Sequence, residues 1–248
     1  MSGHSKWSTI KRRKGAQDAK RGQLFTKVIK EITIAARSGG GDPEGNSRLR
    51  RAIDLARGVN MPADNVTRAI QKGTGELEGV HYEELVYEGV GPEGTLFLCE
   101  VVTDNRNRTI AEVRKLFDKN HGQISSNGSA MWAFEQKGII RVDKDAASEE
   151  ALFEAAVGGG AENMELVGDQ WVVTTPRNDL DVVRDAIDSR GIKVNEAALE
   201  YIPNNPKIVE GEAAAKLVRL YEALEDHDDI QHVFSDFELS EQALAEMD

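Results

Sequence analysis

Hydrophobic positions recur at helical spacing from about residue 16 to residue 37. A 100° step gathers Leu24, Phe25, Val28, Ile29, Ile32, Ala35 and Ala36 on one side and Lys20, Lys27, Lys30 and Arg37 on the other. The pattern predicts an amphipathic helix with a cationic face. Arg21 falls on the apolar side, where its stem can lie over apolar surface while its head stays in water. Ser38-Gly-Gly-Gly-Asp-Pro43 ends this helix. A second is predicted from about Asn46 to Arg57, with Leu49, Ala52, Ile53 and Ala56 inward, Arg48, Arg51 and Arg57 outward, and Gly58 as the stop. A third begins near Pro62 and ends before Gly73, with Val66, Ala69 and Ile70 as its stripe. Three short helices joined by short loops predict a small bundle.

After Gly73-Thr-Gly-Glu-Leu-Glu-Gly79 the period changes from helix to strand. Residues 82–90 and 95–103 are predicted strands joined by a tight turn, and residues 106–120 a helix with Ile110, Val113, Leu116 and Phe117 on its core side. Thr109 and Glu112 have capping-box spacing and are expected to cap it. A strand at 138–142, a helix at 148–157, a hairpin at 161–167 and 170–174, a helix at 179–190 and a strand at 194–202 follow. Their βαββαβ order is that of a ferredoxin-like sandwich. A helix near 212–224 and a strand at 230–234 remain, and they would complete the interrupted first unit. The fold class expected is therefore α+β: an N-terminal three-helix domain followed by two ferredoxin-like α/β domains, the last inserted into the middle one. The expected divisions are residues 1–78, a basic helical nucleic-acid-binding domain; residues 79–135 with 204–248, a discontinuous α+β domain; and residues 136–203, the insertion.

Charge sharpens this picture. The chain has 248 residues and a net charge of −12, yet residues 1–30 hold nine Lys/Arg against one acid, Asp18, a local charge of +8 that leaves −20 for the remainder. One basic end on an acidic body is an electrostatic handle for a polyanion, because clustered cations release counterions from phosphates while the acidic remainder is repelled and sets orientation. A run such as Lys11-Arg-Arg-Lys14 is commonly a solvated tail. Here the charge continues onto an amphipathic helix, and Trp7 lies between Lys6 and Lys11, as a stacking surface or as a packing anchor for the bundle.

Other chemistries find little support. The single cysteine removes an intramolecular disulfide and any multi-cysteine zinc site, and Cys99 sits in an apolar strand pattern suited to a core thiol. His4, His81, His121, His227 and His232 lack metal-ligand spacing, and Asp226-His-Asp-Asp229 is expected to be a solvated helix end. Gly89-Val-Gly-Pro-Glu-Gly94 matches a dinucleotide fingerprint, but it leads into a strand instead of a helix and is expected to serve as turn glycines. The loop Thr103-Asp-Asn-Arg-Asn-Arg108 places Arg106 and Arg108 where they can add a phosphate or partner contact. No catalytic constellation, cofactor motif, secretory signal or membrane-length apolar run is present, so a cytoplasmic, cofactor-free, metal-free, non-enzymatic protein is expected. Without a secretory signal, the glycosylation patterns at Asn65, Asn107 and Asn127 carry no chemistry.

Several uncommon strings occur together: Gly3-His-Ser-Lys-Trp7, Gln17-Asp-Ala-Lys-Arg21, Gly39-Gly-Gly-Asp-Pro43, Met61-Pro62, Arg68-Ala-Ile70, Tyr87-Glu-Gly89 and Asp104-Asn-Arg-Asn-Arg-Thr109. In this order, across essentially the whole chain, they closely resemble the YebC/PmpR family, whose mitochondrial relatives are translational activators of cytochrome oxidase subunit I. Gly15 departs from the alanine expected there. The resemblance implies three domains, no enzyme activity, and either DNA-binding transcriptional regulation or, as the alternative, a ribosome-associated translation factor binding ribosomal RNA. The residues expected to meet nucleic acid are Lys6, Trp7, Lys11, Arg12, Arg13, Lys14, Lys20, Arg21, Lys27 and Lys30, with additional contacts from Arg48, Arg51, Arg106 and Arg108. The acidic domains would face solvent or a protein partner. Phosphate contacts position without specifying, so no base code follows from them, and the oligomeric state is not legible.

Overall fold

The computed structural model describes residues 21–246. The helical unit comprises α1 (Arg21–Gly39), α2 (Ser47–Gly58) and α3 (Ala63–Thr74). Val28, Ile32, Ala35 and Ala36 of α1 pack on Leu49, Ala52 and Ala56 of α2 and Ala69 of α3, the stripes that the spacing predicts. Gly40, at φ +86°, turns the chain out of α1 in a conformation that favours glycine. Asn46 then accepts from the Leu49 amide at 3.0 Å and donates to the Ala35 carbonyl at 2.8 Å, so one side chain caps α2 and ties it to the end of α1. At Gly73 of α3 the helices approach closely, and an added Cβ would overlap the Thr33 carbonyl oxygen and the Ala36 methyl of α1. Gly73→Ala is expected to cost about 1–3 kcal/mol through overpacking, measured by chemical denaturation.

The first sheet contains β1 (Glu83–Val90), β2 (Leu96–Thr103), β3 (Gln123–Ile124) and β9 (Ile230–Ser235) in the antiparallel order β3-β1-β2-β9. Helices α4 (Arg106–Lys119) and α7 (Gly211–Glu225) cover one face. Alternation along β2 sends Phe97, Cys99 and Val101 into this layer, against Val113 and Phe117 of α4 and Leu217 and Leu224 of α7. Leu98 points the other way, toward Ala130, Phe134 and Phe234. The glycines of residues 89–94 serve the turn and close packing: a Cβ on Gly89 would meet the Phe117 ring, and one on Gly91 the Phe97 ring. Cys99 is fully buried, and burial pushes its thiol up to about 12. A thiol-specific reagent is therefore expected to leave the native protein unlabelled at neutral pH and to label it once upon denaturation.

The second sheet lies within the chain of the first. It contains β4 (Phe134–Asp143), β5 (Asn163–Val167), β6 (Gln170–Pro176) and β7 (Glu196–Pro203) in the order β5-β6-β4-β7, with α5 (Glu149–Gly159) and α6 (Leu180–Ser189) packed on one face. This is the ferredoxin-like βαββαβ arrangement. Because β9 follows it in sequence yet pairs with β2, the second α/β unit is inserted into the first.

Local differences from the sequence pattern have physical causes. Strand β4 begins at Phe134, four residues before the predicted start, because Glu135, Gln136 and Lys137 pair with β7 and their polarity hides the strand. The two-residue β3, the parallel pair of β8 (Lys207–Val209) with β10 (Phe237–Leu239), and α8 (Glu241–Glu246) are too short to leave a period. Helix α4 is capped by Asn105, which accepts from the Arg108 amide at 3.0 Å, and not by the Thr109/Glu112 box. Thr109 is instead turned into the core toward Asp229.

Candidate nucleic-acid interface

The polar stripe of α1 carries Gln23, Lys27 and Lys30, spaced four and three residues apart and so aligned on one face. It meets the C-terminal end of α7. Gln23 Nε2 donates to the Asp226 carbonyl at 3.1 Å, Lys27 Nζ to the Glu225 carbonyl at 2.6 Å, and Lys30 Nζ to the Asp228 carbonyl at 2.9 Å. The last carbonyls of a helix lack intrahelical partners and carry the negative end of its dipole, so cations are favoured there. Burial pushes the Lys27 ammonium below its ordinary value. Farther along α1, Arg37 donates to the Tyr82 carbonyl.

Lys30 is the centre of this contact. It is 6% exposed, and its ammonium also donates to Asp229 Oδ1 at 2.6 Å and to the Val102 carbonyl at 3.2 Å. Asp229 Oδ2 in turn accepts from Thr109 at 2.7 Å, Arg108 at 2.9 Å and Thr103 at 3.3 Å. Burial alone would raise this carboxyl, but its hydrogen bonds to Lys30, Thr109 and Arg108 outweigh burial and hold it far below the usual carboxylate range. Lys27 and Lys30, expected to meet phosphates, donate to the protein body in this structure, and one expectation is corrected: Asp229 is a buried carboxylate instead of part of a solvated helix end.

The additional arginines are engaged as well. Arg48 binds Glu31 through two hydrogen bonds at 2.7 and 2.9 Å and reaches Glu84 at 2.6 Å. Arg51 grips both oxygens of Asp181 on α6 at 2.6 and 2.8 Å, while Arg184 of α6 returns to Asp54 of α2 at 3.2 Å. These pairs bind the helical unit to both α/β units. They line a cleft of about 1100 Å³ into which Glu100 and His232 also face, and burial raises the Glu100 carboxyl. Arg108 is shared between Asp104 and Asp229. Arg106 stands exposed at the head of α4, its carbonyl accepting from the Tyr87 hydroxyl at 3.4 Å. Lys6, Trp7, Lys11, Arg12, Arg13, Lys14 and Lys20 lie outside the described residues, as does Gly15, and Arg21 opens α1.

Beside the junction, His227 Nε2 lies 3.0 Å from Glu112 while its Nδ1 accepts from the Asp229 amide at 3.1 Å, a network that assigns the proton of the neutral ring to Nε2. Glu112, His227 and Asp229 offer ligand atoms within 4.8 Å of one another. The charges of Lys30 and Arg108 on the Asp229 oxygens oppose a metal ion there, and this set does not fit one. The sequence signal for the junction was slight: an acidic run placed immediately before the apolar Ile230, where a strand begins. Asp229 owes its importance to partners up to 199 residues away in sequence.

Comparisons with known proteins place this arrangement in context. Residues 5–76 match the TACO1/YebC protein N-terminal domain, and residues 82–237 match the TACO1/YebC second and third domain. A protein of Desulfotalea psychrophila named "Probable transcriptional regulatory protein" is 52% identical over 248 residues, covering 100% of this chain and 99% of its own. One of the same name from Chlorobium luteolum is 50% identical over 245 residues, covering 98% of each chain. The crystal structure of a conserved hypothetical protein from Aquifex aeolicus superposes with a TM-score of 0.85 at 41% identity, covering 90% of this chain and 93% of that one. With the helical unit and both α/β units accounted for by these matches, the chain belongs to the TACO1/YebC family.

Proposed function

We propose that this protein is a non-enzymatic transcriptional regulator that binds DNA through the basic segment preceding α1 and the head of that helix. The names of its relatives speak for a regulator. The observation that carries the nucleic-acid reading is the division of labour among the cations. Lys27, Lys30, Arg48, Arg51 and Arg108 donate to acceptors of the chain itself, and the sequence puts the larger basic cluster, Lys6, Lys11, Arg12, Arg13, Lys14, Lys20 and Arg21, before and at the first residue of a helix that is tied to the body. The phosphate contacts of this reading therefore belong to residues 6–21, with Trp7 packing or stacking among them and Arg106 as the exposed addition. The helix that follows is hydrogen-bonded to the body, and that body is acidic and repels DNA. Binding is thereby confined to one end.

Such a handle gives affinity without sequence preference, since phosphates carry no base information. A regulator needs discrimination as well, and a specific site should exceed random duplex by roughly 10³-fold or more. The test is a titration of labelled duplexes at several salt concentrations. The reading expects log affinity to fall linearly with log salt, with a slope near −0.9 per phosphate neutralised. A slope near zero would remove it. No membrane role is proposed: among the described residues no helix is long and apolar enough to cross a membrane.

A further inference from the structure

Trp132 is the most exposed aromatic side chain among the described residues, at 71%, in a chain whose other described tryptophan, Trp171, is buried. Large aromatic rings are normally withdrawn from water, and this one is held out by a built support. Glu88 of β1 is buried at 4% exposure, and its carboxylate accepts from three successive parts of the loop: the amides of Gly128 at 2.5 Å, Ala130 at 2.6 Å and Met131 at 2.9 Å. Burial would raise the Glu88 carboxyl, but these amides hold it below its ordinary value. Ser129 donates to Ser125 at 2.6 Å, and the Trp132 ring nitrogen donates back to the Ser129 carbonyl at 2.8 Å. Asn204, following β7, clasps the far side by donating to the Trp132 and Ala133 carbonyls. Loop and ring are thus ordered before any partner arrives.

The surroundings indicate the partner. In a chain with 43 acids, residues 119–134 and 201–209 contain none, and these are the two segments joined at Trp132 by the Asn204 contacts. The loop residues beside the ring, Ser126, Asn127 and Gly128, are exposed and polar or small. A protein hot spot wants an apolar setting that excludes water around the aromatic anchor, which these residues do not supply. A flat ring with amide and hydroxyl groups near it, on a loop whose adjoining carboxylate, Glu88, is buried and taken up by three loop amides, suits a nucleobase.

We infer that Trp132 is a stacking platform for an unpaired base of the nucleic acid held by the basic segment. This rests on the proposed phosphate-binding function and adds a second, uncharged contact on the opposite side of the helical unit in sequence. The unpaired base could belong to a DNA strand opened during transcription or to an RNA loop, and the two share the same stacking chemistry.

Fluorescence anisotropy of the full-length protein with labelled 12-nucleotide single strands, DNA and RNA of one sequence, tests the assignment, with a blunt duplex as control. Trp132→Ala is expected to weaken single-strand binding about 5- to 100-fold, the range for loss of one base–aromatic stack, with the salt slope unchanged and duplex binding unaffected. Trp132→Phe, which keeps a ring, should retain most of the affinity. The arm that loses more, DNA or RNA, identifies the source of the base. Because Trp132 is exposed, matched thermal melts can establish that the variants fold. Equal single-strand affinity of the wild type and Trp132→Ala, with the salt slope intact, would overturn the platform and leave phosphate binding standing. Absence of binding by the wild type to every nucleic acid would overturn both.

Discussion

Alanine at Lys11, Arg12, Arg13 and Lys14 together will flatten the salt dependence of duplex binding by about 3–4 units of slope, since each neutralised phosphate contributes about 0.9. These four residues are expected to have this effect because they form the densest cationic run in the sequence. Farther along the chain, the cations of α1 and α2 that might have shared the task already donate to carbonyls and carboxylates of the body. At low salt the variant should bind weakly, and near physiological salt its affinity should approach background, since residues 1–30 then keep a charge of only +4 and few counterions are left to release. Fold stability should be unchanged. The measurement is a salt titration of wild type and variant on one duplex, accompanied by a denaturation curve to establish that only binding has moved.

The second large effect belongs to the junction. Lys30→Met keeps most of the aliphatic stem but removes the ammonium, leaving the Val102 and Asp228 carbonyls and one Asp229 oxygen short of a donor in a buried site. Removing one partner of a buried ion pair typically costs about 3–5 kcal/mol. A loss near the low end, about 3 kcal/mol, is expected, because Arg108, Thr103 and Thr109 still serve the other Asp229 oxygen. Chemical denaturation measures the loss, and limited proteolysis between α3 and β1 should quicken as the helical unit loosens. The same carboxylate sets a pH dependence. Asp229 resists protonation in the folded state, so its contribution is present above the unfolded aspartate value of about 3.9 and is lost as the pH falls below it. Asp229→Asn should remove this part of the acid sensitivity while lowering stability at neutral pH.

Much of the architecture is written in periodicity. The stripe of Val28, Ile32, Ala35 and Ala36, the alternation of Phe97, Cys99 and Val101, and the βαββαβ order of the insertion all follow from local spacing that burial rewards directly. Strand β4 was legible only from Gly138 onward, because its first residues pair at a polar edge where hydrophobicity gives no signal. The candidate interface was legible in charge but not in allocation. Lys20, Lys27 and Lys30 share one face of a wheel, and no local rule distinguishes Lys30, which ends in a buried contact with Asp229, from the others on that face. That distinction depends on contacts nearly 200 residues apart in sequence. Trp132 was silent for a related reason. Trp132 stands between apolar neighbours, Met131 and Ala133, and its loop is held by amides bonded to Glu88 some forty residues earlier, so no local spacing marks its exposure.

The proposed action on DNA through the basic N-terminal end requires that the protein choose DNA over RNA when offered both. The most direct measurement incubates the purified full-length protein, at near-physiological salt, with an equal-mass mixture of sheared genomic DNA and total RNA from its source organism, followed by recovery and sequencing of both polymers. Discrete DNA fragments should be enriched, and the enrichment should be lost with the Lys11–Lys14 alanine variant. Selective recovery of ribosomal RNA, with DNA at background, would contradict it.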